Sequence, residues 1–138
     1  MILSQSKGRT MNGSAAIEKD WSPPELLLEA AGGDDEMIAT LIDAFGADTS
    51  DRIEQMFADL AVCNLSNIRN QAHTIKGSAG QMGADALADA CRELEKASDL
   101  QQPVPVAARL SRVKELFDEI REKMAFHVSQ SPAPSASR

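Results

Sequence analysis

His73, Lys76, Gly77 and Gly80 stand at offsets of three, four and seven residues, spacings that bring side chains to one face of an α-helix. A neutral imidazole, with an ordinary pKa near 6.5, offers a nucleophilic nitrogen at cellular pH. A lysine one turn away attracts an anion arriving at that ring and balances the charge of a phosphoryl group placed on it. Two glycines inside a helix each cost about 0.5–1 kcal/mol relative to alanine, so their presence beside the histidine asks for a reason, such as the close approach of another molecule. Plainer readings exist for each residue. An exposed histidine is most often an ordinary surface residue, Lys76 can be a solvated charge, and Gly77 and Gly80 can admit a neighbouring helix of the same chain.

The helix that must position them is legible from its apolar residues. Leu65, Ile68, Ala72, Ile75, Ala79 and Met82 alternate three- and four-residue steps, the pattern of one buried stripe. At about 100° per residue, His73 lies roughly 130° from the centre of that stripe, on a water-facing flank with Arg69, Lys76, Gly77 and Gly80. Asn64 or Ser66 can cap this helix, and Gly83 stops it.

Four other helices are expected to bury the stripe. Ser22-Pro23-Pro24-Glu25 reads as a capping box opening a short helix through Ala31, closed by Gly32-Gly33. Asp34-Asp35-Glu36 opens a long helix over about 34–62, with Ile38, Ile42, Phe45, Ile53, Met56 and Leu60 inward and Thr49 bridging a polar gap. A fourth helix, about 84–99, turns Leu87, Ala90, Cys91 and Leu94 inward and a solvated face of Asp85, Asp89, Arg92, Glu93 and Lys96 outward. Gln101 to Pro105 reads as a linker, with Pro105 in the first turn of a fifth helix ending near His127 and turning Val106, Leu110, Val113, Phe117, Ile120 and Met124 inward. His127 beside Phe126 is explained by the negative end of that helix dipole. The expectation is an all-α chain: an antiparallel four-helix bundle over 21–127 with a short additional N-terminal helix as a lid, a disordered segment at 1–20 and a disordered Ser/Pro/Ala tail at 128–138.

Composition narrows the function classes. Aromatic residues make up 4% of the 138 residues and tyrosine is absent, so Leu, Ile, Met and Ala must build the core, which suits helices. A formal charge of −7 argues against nucleic-acid binding, which needs a clustered cationic footprint, and favours a cationic partner surface. Cys63 and Cys91 have no paired spacing and read as small buried thiols rather than a disulfide or zinc site. No apolar run approaches the roughly 20 residues of a membrane span, and no signal-peptide segment is evident at the start, so a soluble, cytoplasmic protein is expected, while the polar outer faces of the helices suit a monomer.

His73-Thr74-Ile75-Lys76-Gly77-Ser78-Ala79, followed by Met82-Gly83-Ala84 and Leu87, resembles the signature of histidine-containing phosphotransfer (HPt) domains, and the resemblance covers roughly residues 22–125. It implies a bundle whose exposed histidine accepts a phosphoryl group from the aspartyl phosphate of a receiver domain and passes it reversibly to another. It further implies His73 as the phosphorylated nucleophile, Lys76 as the group that helps hold the phosphoryl, and Gly77 as the small residue giving a partner access. Gly80 extends that clearance by its helical position, Arg69 shares the docking face, and Gln81 stands at a polar position suited to a contact. The implied partners are response-regulator receiver domains, hybrid sensor histidine kinases, or both. The aspartate and Mg²⁺ would come from the receiver, leaving this chain a phosphocarrier with no cofactor or metal of its own and no autonomous kinase activity. Two other classes compete: a module that docks a receiver or kinase through the same face without carrying phosphate, and a histidine-based hydrolase or metal site. The last is weakest, since no second His, nucleophilic Ser or Cys is spaced to meet His73 on its helix.

Overall fold

The computed structural model describes residues 21–130, and these form five helices: α1 (Glu25–Ala30), α2 (Asp35–Ala61), α3 (Leu65–Gln81), α4 (Asp85–Asp99) and α5 (Pro103–Gln130). No strand occurs among the described residues. The expectations for 1–20 and for the tail from 131 onward lie outside them. The last four helices form a bundle in which α3 packs on α2 and α4, and α5 packs on α4 and α2. Three-residue connections force sequential neighbours to run antiparallel.

The turns explain where each helix stops. Gly83 has φ 73°, and the N–H of Ala84 donates to the carbonyl of Ala79 at 2.8 Å, closing α3 in a Schellman-type turn. Cys63 does the same work at the end of α2 with φ 56°, and the N–H of Asn64 donates to Asp59 O at 2.8 Å. A cysteine in the left-handed region carries no sequence signal for that role. It is also exposed, correcting the expectation that both thiols are buried. Cys91 is buried, and desolvation, with the nearby Glu95 charge adding to it, pushes its thiol up to about 12, so it is inert packing.

Three helix starts differ from their expected form. Ser22 caps nothing; α1 begins only after Pro24, whose ψ of 160° is extended. A residue preceding proline is driven out of the helical region, so Pro23 cannot open a helix in front of Pro24. Asp34, expected in the first turn of the second helix, is its cap, its carboxylate accepting from the N–H of Glu36 at 2.9 Å. In α5 the helix already starts at Pro103, and Pro105 is accommodated too, because both fall among the first N–H groups that have no intrahelical partner. The helix also runs three residues past His127.

The core is the expected apolar stripes brought together: Ile38, Phe45, Ile53 and Met56 from α2, the full stripe of α3, Leu87 and Leu94 from α4, and Val106, Leu110, Val113, Phe117 and Met124 from α5. Leu27 and Ala31 bury against this core from the α1 segment. Trp21 and Asp59 were not foreseen as interior groups. The Trp21 indole N–H donates to Met82 O at 2.7 Å, satisfying an end carbonyl of α3, and its ring meets the His127 ring edge-on at 5.4 Å. Asp59 accepts from Gln55 Nε2 at 2.9 Å and from Asn67 Nδ2, tying the end of α2 to the first turn of α3.

Candidate functional site

His73 sits near the middle of α3, with 62% of its side chain exposed. Every residue of the α3 stripe is buried, so the helix is clamped by its apolar side and the imidazole is held outside at a fixed height. The side chain is not loose. Its Nδ1 lies 2.9 Å from Oε2 of Glu95 on α4, and Lys76 Nζ lies 2.6 Å from the other oxygen, Oε1, of the same carboxylate. Glu95 is only 9% exposed at its side chain and Lys76 30%. Lys76 is therefore not a free solvated charge: a buried acid fixes it beside the histidine.

Glu95 decides the state of the ring. Burial works to raise its pKa, but hydrogen bonds and charge attraction from Lys76 and His73 outweigh burial and hold the carboxyl below its ordinary range. An ionised carboxylate only accepts, so Nδ1 of the neutral imidazole carries the proton and Nε2 is left with the lone pair. A buried, ionised group without these partners would be strongly unfavourable.

Gly77 and Gly80 resolve an ambiguity. A β-carbon built on either meets no neighbouring atom within 4 Å, so neither glycine is there to admit another helix of this chain. The clearance faces outward. Arg69 is held by Asp99 of α4 at 3.0 Å, bracketing His73 on the other side, and Gln81 is exposed at the end of α3. Thus Arg69, His73, Lys76, Gly77 and Gly80 share one side of α3, with Gln81 beyond them at its C-terminal end and the α4 acids Glu95 and Asp99 along its edge. No group of three or more His, Cys, Asp or Glu side chains among the described residues is placed to hold a metal ion. Grooves between α2 and α5, of about 610 Å³, and beside Trp21, of about 180 Å³, include none of the His73-face residues.

Glu95 was missed by the sequence reading, yet a signal for it exists. Ala84, Ala88, Cys91, Glu95 and Ser98 follow one another at four- and three-residue steps, all buried, and Glu95 is the one charged residue in that stripe. An acid in an otherwise small-residue stripe needs a cationic partner on the facing helix, and Lys76 supplies it.

Fold and site together define an all-helical bundle that presents one braced histidine on its outer surface. A sequence model of the Hpt domain matches residues 40–123, and the chain belongs to that family. Its function is histidine phosphotransfer in a two-component phosphorelay, and members of this family are phosphocarriers. The chain is similar in fold to the crystal structure of histidine-containing phosphotransfer protein B from Pseudomonas aeruginosa PAO1, with a TM-score of 0.71, 22% sequence identity, and coverage of 80% of this chain and 96% of that one. No curated protein matches. No helix among the described residues is long and apolar enough to cross a membrane.

Proposed function

We propose that His73 is the residue phosphorylated in this relay, taking the group from the aspartyl phosphate of one receiver domain and passing it to another. The observation that supports this most is the hydrogen bond from Nδ1 to Glu95, which fixes the tautomer and leaves Nε2 as the nucleophile. The Nε2 lone pair forms the bond to phosphorus while the phosphorus–oxygen bond to the donor aspartate breaks, its electron pair returning to that carboxylate. Positioning and charge stabilisation dominate such an in-line transfer. Lys76 is the cation within the site that can hold the phosphoryl oxygens. The aspartate and Mg²⁺ belong to the receiver, and the chain works without a cofactor, as a phosphocarrier with no kinase activity of its own. Receiver domains, a hybrid sensor histidine kinase or both are its partners, and it acts as a cytoplasmic monomer.

The docking surface is the outer side of α3, with Arg69, Gly77, Gly80 and Gln81 around the nucleophile. Gly77→Ala is expected to stabilise the fold by about 0.5–1 kcal/mol, since the added methyl enters open space and the helix loses a flexible residue. Gly77→Leu is expected to slow transfer from a receiver by about 100-fold, the scale of a misplacement of reacting groups near 1 Å. Labelling by the small donor phosphoramidate should stay within about twofold, because that donor needs no docking surface. Thermal melts and paired labelling assays check both.

The test of the proposal is transfer from phosphorylated receiver domains to the purified protein, followed by acid and base treatment of the label. Acid-labile, base-stable phosphate is the expected result. Receiver binding with no label on the protein would favour the docking-module reading instead.

A further inference from the structure

We infer that Glu95 is a positioning residue that keeps the proton on Nδ1 of His73 throughout the phosphorylated state, so that the phosphoryl group is both accepted and given up without a proton having to move. This rests on the reading of His73 as the phosphoryl acceptor.

The electron count shows why the proton matters. When the Nε2 lone pair becomes the nitrogen–phosphorus bond, a ring that retains Nδ1–H is an imidazolium. On discharge the bonding pair returns to Nε2, and the departing group is neutral imidazole with its proton still on Nδ1. If Nδ1 had lost that proton, the departing group would be an imidazolate, a far poorer leaving group. A phosphorylated ring in water would shed the proton near the ordinary imidazole pKa of about 6.5. A carboxylate that accepts the Nδ1–H hydrogen bond favours the ring that keeps this proton.

The geometry provides for this and for the lysine at once. Glu95 uses its oxygens separately, Oε2 on Nδ1 at 2.9 Å and Oε1 on Lys76 Nζ at 2.6 Å. Lys76 can therefore turn towards a phosphoryl group without removing the acceptor from the ring. The other charged or titratable groups nearby are already committed. Arg69 of α3 is held by Asp99 of α4, and Arg92 of α4 by Asp89. Arg52, which reaches α3 from α2, is held by Asp48 and Gln71. The buried Cys91 thiol stays neutral. Glu95 is thus the carboxylate in contact with the ring.

The test compares wild type with Glu95→Gln, which keeps an acceptor of the same shape but removes the charge. Both are loaded with phosphoramidate, freed of donor, and followed by phosphorus NMR as phosphate is lost to water between about pH 5.5 and 9. Equal rates are expected at the acid end. The profile of the variant should break at lower pH, so that near pH 8 it discharges about tenfold more slowly. Superimposable profiles with label on His73 would overturn this inference alone, while absence of label on the wild type would overturn the acceptor reading and this inference with it. Nitrogen NMR of the phosphorylated wild type gives a check that needs no variant: the proton on Nδ1 should persist at pH 8, and its loss near pH 6.5 would overturn the inference.

Discussion

His73→Gln is expected to abolish phosphoryl acceptance completely while shifting thermodynamic stability by no more than about 0.5 kcal/mol, the usual range for a surface substitution. The two halves of this expectation come from different parts of the site. An amide has no nitrogen lone pair available for attack on phosphorus, so the chemistry ends. The side chain is mostly exposed, and a glutamine amide can still donate to Glu95, whose other oxygen remains on Lys76. No buried charge is orphaned, so the penalty for stripping a carboxylate of its partners does not arise. Label incorporation and chemical denaturation of the same preparation measure both. Retained label would show that the nucleophile lies elsewhere.

Trp21→Ala is expected to have the largest effect on stability, about 3–5 kcal/mol, the range for removing a buried aromatic side chain. Trp21 is 6% exposed, donates its indole N–H to the end of α3, and packs against His127 of α5, while Pro24 sits over Gly83. It therefore joins the α3–α4 turn to the C-terminal part of α5. Trp21→Phe should cost less, about 1–3 kcal/mol, because ring burial is mostly kept and the loss centres on one unsatisfied carbonyl. As the chain has a single tryptophan, its fluorescence reports the transition directly in the wild type, and circular dichroism serves for the variants. Phosphoryl acceptance per folded molecule should be unchanged, since Trp21 contacts the C-terminal end of α3 at Met82 and not the His73 face.

These two residues also mark what a sequence can and cannot disclose. His73 was legible because its offset from a regular apolar stripe is a local property of one helix, and the same periodicity placed all four bundle helices to within a few residues. Trp21 was not, because its role is to satisfy a carbonyl 61 positions away, a relation that no local pattern encodes. Glu95 is the same case at the site itself. Its place in the small-residue stripe of α4, directly after the buried Leu94, marks it as facing inward, but only the packing of α4 against α3 shows that it meets Lys76 and His73. The start of α5 shows a third kind of difference: two prolines look like a linker, yet both fit a first helical turn. Residues set by helical periodicity were thus readable, and residues set by contacts between helices were not.

Nε2 of His73, freed by the Nδ1–Glu95 hydrogen bond, is proposed as the atom that receives the phosphoryl group. Nitrogen and phosphorus NMR of isotopically labelled protein after transfer from a phosphorylated receiver tests it most directly. A single phosphorus resonance coupled to Nε2 of His73 is expected, whereas phosphorus on Nδ1, on His127 or on no histidine would overturn this assignment.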